Sequence, residues 1–200
     1  MNTHDLDPPG DRSRSTEDTC SKNVNASPPP DCNDPIDEKS GPRRGSGDPL
    51  REAHSAEHVL NAVMQRDFGV GRSIEVHFGA KKSKADYIVS QPLGEADLRA
   101  IEAAVNAEIA KDHPVTTFVI SREEAEERYD MRKVPASAKS IRIVQIGDLD
   151  TIPCIGEHVE RAGQIGRFVV RSATMRDEQT VRIRYALEDR DPSDVKDSAD

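Results

Sequence analysis

Residues 73–111 read SIEVHFGAKKSKADYIVSQPLGEADLRAIEAAVNAEIAK. Two stretches of alternating apolar and polar side chains, 73–78 and 85–90, flank the basic turn GAKKSK. Alternation with a period of two puts one set of side chains on each face of a strand, so the pair reads as an antiparallel hairpin. Behind it Leu98, Ile101, Val105 and Ile109 recur at helical spacing between about Glu95 and Lys111, and Pro114 stops the helix. A hairpin that runs directly into a helix is not the start of a regular β-α-β series, so the sheet is expected to be mostly antiparallel.

The flanking sequence extends the same pattern. Upstream, residues 51–68 place Ala53, Ala56, Leu60, Val63 and Met64 on one helical face, with Asp48 and Pro49 as cap and first-turn proline and Gly69 and Gly71 as the stop. Downstream come a short strand (115–120), a short acidic helix (122–129), an irregular link containing Pro135, a strand (140–146), a loop, and a final hairpin (166–175 and 180–187). The fold class is α+β: a mostly antiparallel sheet packed against two longer helices.

Composition divides the chain. Residues 1–48 contain PPG, PPP and GPRRGSGDP and few apolar side chains beyond Leu6, Val24 and Ile36, which predicts a disordered N-terminal tail. Residues 189–200 are acidic and small and predict a second tail, leaving 49–188 as the folded domain. The formal charge of −9 sits mainly in the ends: residues 1–50 hold ten acids and six bases, and 189–200 five and two, so the centre is close to neutral. Its bases cluster at Lys81, Lys82 and Lys84 and again at Arg132, Lys133, Lys139 and Arg142, as a cationic surface or simply a solvated face. No apolar run approaches the ~20 residues of a membrane span and no signal segment is read, so a cytoplasmic protein without a membrane partner is expected. Walker and Rossmann glycine patterns are missing, and three cysteines split between tail and domain form no disulfide framework.

Two short segments hold the chemistry. His54 and His58 stand four apart in HSAEHVL, where a helix puts both imidazoles on one face, and Cys154 and His158 stand four apart in CIGEHV beside Pro153 and Gly156. A thiolate with three imidazoles suits zinc, not magnesium or calcium, provided the second segment folds back over the helix. His4 and His113 have no comparable partner and read as surface residues, and His77 has no role assigned.

Together HSAEHVL and IRIVQIGDLDTIPCIGEHVERAGQIGRFVV resemble the editing domain shared by alanyl- and threonyl-tRNA synthetases, especially the freestanding alanyl-tRNA editing proteins of the AlaX type. The family's HxxxH is matched by His54 and His58, and its CxGxH by Cys154, Gly156 and His158, with Gly147, Asp148, Asp150, Ile165, Gly166 and Phe168 as matching flanks. The resemblance covers about residues 51–188. It implies a synthetase editing-domain-like fold, a zinc cofactor, and hydrolysis in trans of the ester on a mischarged tRNA, most plainly seryl-tRNA(Ala), gripped at its acceptor end, with no DNA partner. Ser55 is then a candidate for holding a substrate hydroxyl or for a back-bond to its own helix, Asp150 for orienting a histidine or fixing the loop, and Glu157 for a base or a partner of a ligand. Glu57 reads as an exposed helix carboxylate. Lys81, Lys82, Lys84, Arg132 and Lys133 are candidates for acceptor-stem phosphates.

The chain departs from the alanyl branch, which usually reads CGGTH, at Ile155 and Glu157. Two other functions therefore stand beside the deacylase: a zinc-containing tRNA-binding module without hydrolysis, and a zinc hydrolase for another ester or amide.

Overall fold

The computed structural model describes residues 48–79 and 81–189. The two expected tails lie outside the described residues, apart from Asp48 and Asp189 at their borders.

Helix α1 spans Pro49–Phe68. The Asp48 side chain accepts from the backbone N–H groups of Leu50 and Arg51, which would otherwise be orphaned at a helix start, and Pro49 has no N–H to satisfy. Gly69 closes the helix in the left-handed region, at φ 61°, where a side chain would be strained. Strands β1 (Glu75–His77) and β2 (Ser83–Ile88) form the expected hairpin, followed by α2 (Glu95–Ala110). Next come β3 (Val115–Ser121), α3 (Arg122–Arg128), β4 (Ser140–Ile146), β5 (Asp150–Pro153), a 3-10 turn at Ala162–Gln164, β6 (Arg167–Met175) and β7 (Thr180–Glu188).

All strand pairs are antiparallel, but they make two sheets where one was expected. The larger runs β1-β2-β7-β6 and the smaller β3-β4-β5. Alternation along a strand fixes its faces and says nothing of its neighbour, so the pairing of β4 with β3 was not readable from the pattern. Strand β5, which ends in Pro153, lies in the segment expected to be loop. It is an edge strand, and a missing N–H is tolerated there.

The inner face of the larger sheet, including Ala85, Tyr87, Ile183, Tyr185 and Phe168, packs on Leu60 and Val63 of α1 and on Ile101, Val105 and Ile109 of α2. Each large side chain removed from water there contributes roughly 1.5–3 kcal/mol. A second, smaller cluster of Ala125, Ile141 and Ile143 holds α3 against the smaller sheet. This arrangement makes α1 fully internal along Val59–Met64 and brings β5 alongside its first half. None of the described helices is long and apolar enough to cross a membrane.

Candidate metal centre

The four side chains singled out by spacing meet. One ligand atom from each of His54, His58, Cys154 and His158 lies within 4.8 Å of all the others. Cys154 Sγ is 3.4 Å from Nε2 of His54 and 3.4 Å from Nε2 of His158. Tetrahedral zinc with bonds of ~2.0–2.3 Å separates its ligand atoms by ~3.3–3.8 Å, so these contacts have the spacing of donors around one ion.

Three of the four donors are held from behind. His58 is 1 % exposed, and its Nδ1 lies 2.9 Å from Oδ2 of Asp150, which leaves Nε2 for the cluster. Asp150 is itself held by two hydrogen bonds from Arg72, at 2.6 and 3.0 Å. Burial alone would push the Asp150 carboxyl up, but His58 and Arg72 hold it below the usual range. His158 Nδ1 lies 3.3 Å from the Ser55 hydroxyl. The loop that carries Cys154 and His158 is pinned by Arg142, whose Nη1 donates to the carbonyls of Cys154 (2.7 Å) and Gly156 (2.8 Å). Arg72 and Arg142 were not read as site residues. The signal for a cation was indirect: a carboxylate buried like Asp150 must be paired.

The charges suit a cation. Burial opposes ionisation of the Cys154 thiol, yet hydrogen bonds from His158, His54 and His58 outweigh it and hold the thiol far below its ordinary range. Burial likewise works against a charged His58, but Asp150 and Cys154 raise it overall. His158 is held down by burial against the pull of the thiolate, with the other two imidazoles adding to the effect. A thiolate among three imidazoles is a donor set for zinc, and a bound ion would take the place of the protons shared among them.

The remaining candidates separate. Ser55, a candidate for a substrate hydroxyl or for a back-bond to its own helix, makes the back-bond: fully buried, it donates to the Arg51 carbonyl (2.9 Å) while accepting from the Val159 N–H (3.0 Å). With His158 Nδ1 on its other lone pair the hydroxyl has no bond left to offer, and it acts on the site through His158. Glu57, expected to be exposed, is buried and accepts from Asn61 (2.5 Å) and Ser73 (2.6 Å), in a network that Tyr87 joins through Asn61. Glu157 is exposed and binds Arg51 at 2.5 Å. That pair stands on an open cleft of about 530 Å³ whose lining includes His54, Val76, His77 and Phe78. Phe78 packs on the His54 ring at 4.8 Å between centroids.

Of the cations, Lys81 and Lys82 are exposed at the β1–β2 turn and Lys84 lies on β2. Arg132 is engaged by Asp130 at 2.5 Å, and the Lys133 ammonium donates to the Ser73 carbonyl at 2.9 Å. His113, read as a plain surface residue, is half-buried with Nε2 3.1 Å from Glu108.

Comparison with known proteins points one way. Residues 141–184, which include Cys154 and His158, match the family described as the threonyl and alanyl tRNA synthetase second additional domain. The chain is 31 % identical to the alanine–tRNA ligase of Treponema denticola over 141 residues, 68 % of this chain and 23 % of that protein. It is 32 % identical to that of Coxiella burnetii over 125 residues, 60 % of this chain and 14 % of the ligase. With that of Aeropyrum pernix the identity is 30 % over 142 residues, 68 % and 16 % of the two chains. It thus spans less than a quarter of the length of these relatives. Residues 141–184 thus belong to the family of second additional domains of threonyl- and alanyl-tRNA synthetases, and α1 completes the four-residue donor set that this resemblance implies.

Proposed function

We propose that this domain is a trans-editing hydrolase that removes the amino acid from mischarged tRNA, with seryl-tRNA(Ala) as its substrate and zinc as its cofactor. The observation that carries the reading is the convergence of His54, His58, Cys154 and His158 at the edge of an open cleft. The relatives are alanine–tRNA ligases, which supports tRNA(Ala). A second site that hydrolyses a wrong product is the remedy where binding alone discriminates poorly between small amino acids.

Four protein donors fill a tetrahedral zinc, so zinc in this site would position substrate and water, and would polarise the ester carbonyl or activate water only where a fifth position opens or one ligand yields. His58, Asp150 and Arg72 form a fixed chain that holds one imidazole in place, and Ser55 does the same for His158. His54 is the one of the four that also lines the cleft, so it is the ligand a substrate meets. Among nearby carboxylates Asp150 is engaged by Arg72, Glu57 by Asn61 and Ser73, and Asp48 caps α1. That leaves Glu157 on the cleft wall as the acceptor for the proton of the attacking water, once Arg51 turns to the substrate. Lys81, Lys82 and Lys84 belong to the hairpin that forms another wall, and we assign them to phosphates of the acceptor end. The setting is the cytoplasm.

Zinc-loaded protein should release serine from seryl-tRNA(Ala) faster than alanine from alanyl-tRNA(Ala), measured with a panel of tRNAs charged with different amino acids. Failure to hydrolyse any aminoacyl-tRNA while still binding it would leave the binding-module reading in its place.

A further inference from the structure

The outer face of the larger sheet holds a row of donors of which the reading above uses only Lys84. Since Ala85, Tyr87, Ile183 and Tyr185 point into the core, their neighbours Lys84, Asp86, Arg182 and Arg184 point outward. Strand register sets these side chains in two adjacent rows. In one, Glu75 pairs with Asp86 and Asp86 with Arg182. The charges of that row are matched by two guanidiniums, one of them from outside it: Asp86 takes two hydrogen bonds from Arg182, at 2.7 and 2.6 Å, and lies 3.8 Å from Arg176, while Glu75 lies 3.6 Å from the Arg182 guanidinium. In the other row, His77 stands opposite Lys84, Lys84 opposite Arg184, and Arg184 opposite Ser172. It contains no carboxylate. Among the described residues neither Lys84 nor Arg184 makes an ion pair, and the one hydrogen bond of the Arg184 guanidinium is a 3.4 Å contact to Thr174.

This row has a direction. Its first member, His77, also lines the cleft beside His54. From there it crosses four strands in three steps of ~4.8 Å, so its donors extend about 14 Å from the cleft, beside a row whose acids are already paired. We infer that His77, Lys84, Arg184 and Ser172 form a track for the sugar-phosphate backbone of the single-stranded 3′ end of a tRNA, guiding its terminal ester into the cleft. A line of cations and hydroxyl or imidazole donors without acids matches a repeating anion, and it binds without reading bases. The inference rests on the proposed tRNA reading and adds Arg184, His77 and Ser172 to it. Lys84 belongs to both.

The test uses the full zinc-loaded chain and a labelled single-stranded RNA ending in CCA, with dissociation constants measured across a series of salt concentrations. Each lost phosphate contact to a single strand lowers the slope of log K against log salt by about 0.7, so Lys84→Gln with Arg184→Gln should flatten it by roughly 1.4. The pair Arg171→Gln with Arg176→Gln removes the same net charge from side chains that face Glu188 and Asp86, and should leave the slope unchanged. Equal flattening in both double variants would mean a general charge effect and would overturn the track. So would an unchanged slope in the first variant while the parent protein still deacylates tRNA, and in that case the proposed function stands. A parent protein that neither binds the RNA nor hydrolyses charged tRNA removes the function and the track together.

Discussion

Substituting Gly156 by alanine tests the metal centre without touching a ligand. Gly156 is not in a positive-φ conformation, so its backbone is open to any residue and only space is limiting. A Cβ there would overlap the His54 ring, meeting Cε1 and Nδ1 at impossible distances and Nε2 at 3.2 Å. The loop cannot withdraw cheaply, because Arg142 holds the carbonyls of both Cys154 and Gly156. Nor can the ring slide sideways, with Phe78 at 4.8 Å and His158 at 4.2 Å between centroids. His54 must therefore leave its position. If four ligands together supply ~10–16 kcal/mol of zinc binding, one accounts for roughly 3–4 kcal/mol, so affinity should fall on the order of a hundredfold to a thousandfold. Competition against a chromophoric chelator measures this, and circular dichroism checks that the fold persists. Ile155→Ala is the control, since that side chain is 92 % exposed and should change nothing. Parental zinc affinity in the Gly156→Ala protein, or an equal loss in the control, would refute the reasoning.

Three further outcomes follow from the same geometry. Asp150→Asn removes the charge behind His58 while keeping its volume, and should weaken zinc about 10–100-fold in the same chelator assay; undiminished affinity would mean that the carboxylate does not aim the imidazole. Cys154→Ala should lose zinc and deacylation together, and hydrolysis by protein shown zinc-free by metal analysis would contradict the account. Burial pushes the Glu108 carboxyl up, but Arg66, Lys111 and His113 outweigh it and bring it from its ordinary 4.5 to about 2. A carboxylate depressed on folding stabilises fully above its unfolded pKa and loses that contribution as pH falls through the folded value. On the order of 1–3 kcal/mol should therefore disappear between about pH 4.5 and 2, after allowance for the half-exposed Arg66 and Lys111, and Glu108→Gln should flatten that part of the urea-unfolding profile.

The helices and hairpins were legible because their signals are local. Asp48, Pro49 and Gly69 mark the ends of α1 with side chains or backbone freedom that act within a turn, and the structure places all three as that chemistry requires. The division into two sheets was hidden, since it depends on which hydrophobic strips meet across the chain. Strand β4 gives Ile146 to the main core and Ile141 and Ile143 to the small one, and nothing in the alternation of SIRIVQI separates those destinations. Likewise β5 stands where a loop was expected, since a strand that ends in proline is tolerated at an edge and edge position is not written in the local sequence.

The convergence of the four candidate donors was legible for a similar reason: spacing on a helix is geometry, and repetition of the spacing with a thiolate added narrowed the chemistry. What supports the ligands was not, and the reason lies in side-chain reach. Arg72 contacts Asp150 across 78 residues and Arg142 contacts Gly156 across 14, so neither belongs to a local motif. The same blindness left Ser55 open between a substrate contact and a back-bond, and made Glu57 read as exposed. Both were judged by chemical type, as a hydroxyl beside a ligand and a carboxylate on a helix, whereas packing decides what each faces. Because α1 is covered on nearly every side from Ser55 to Met64, a polar group there must find its partners inside the protein, and both do. Glu157 escapes this constraint, being exposed and paired with Arg51, so under the proposed function it is the carboxylate that a substrate would reassign at little cost.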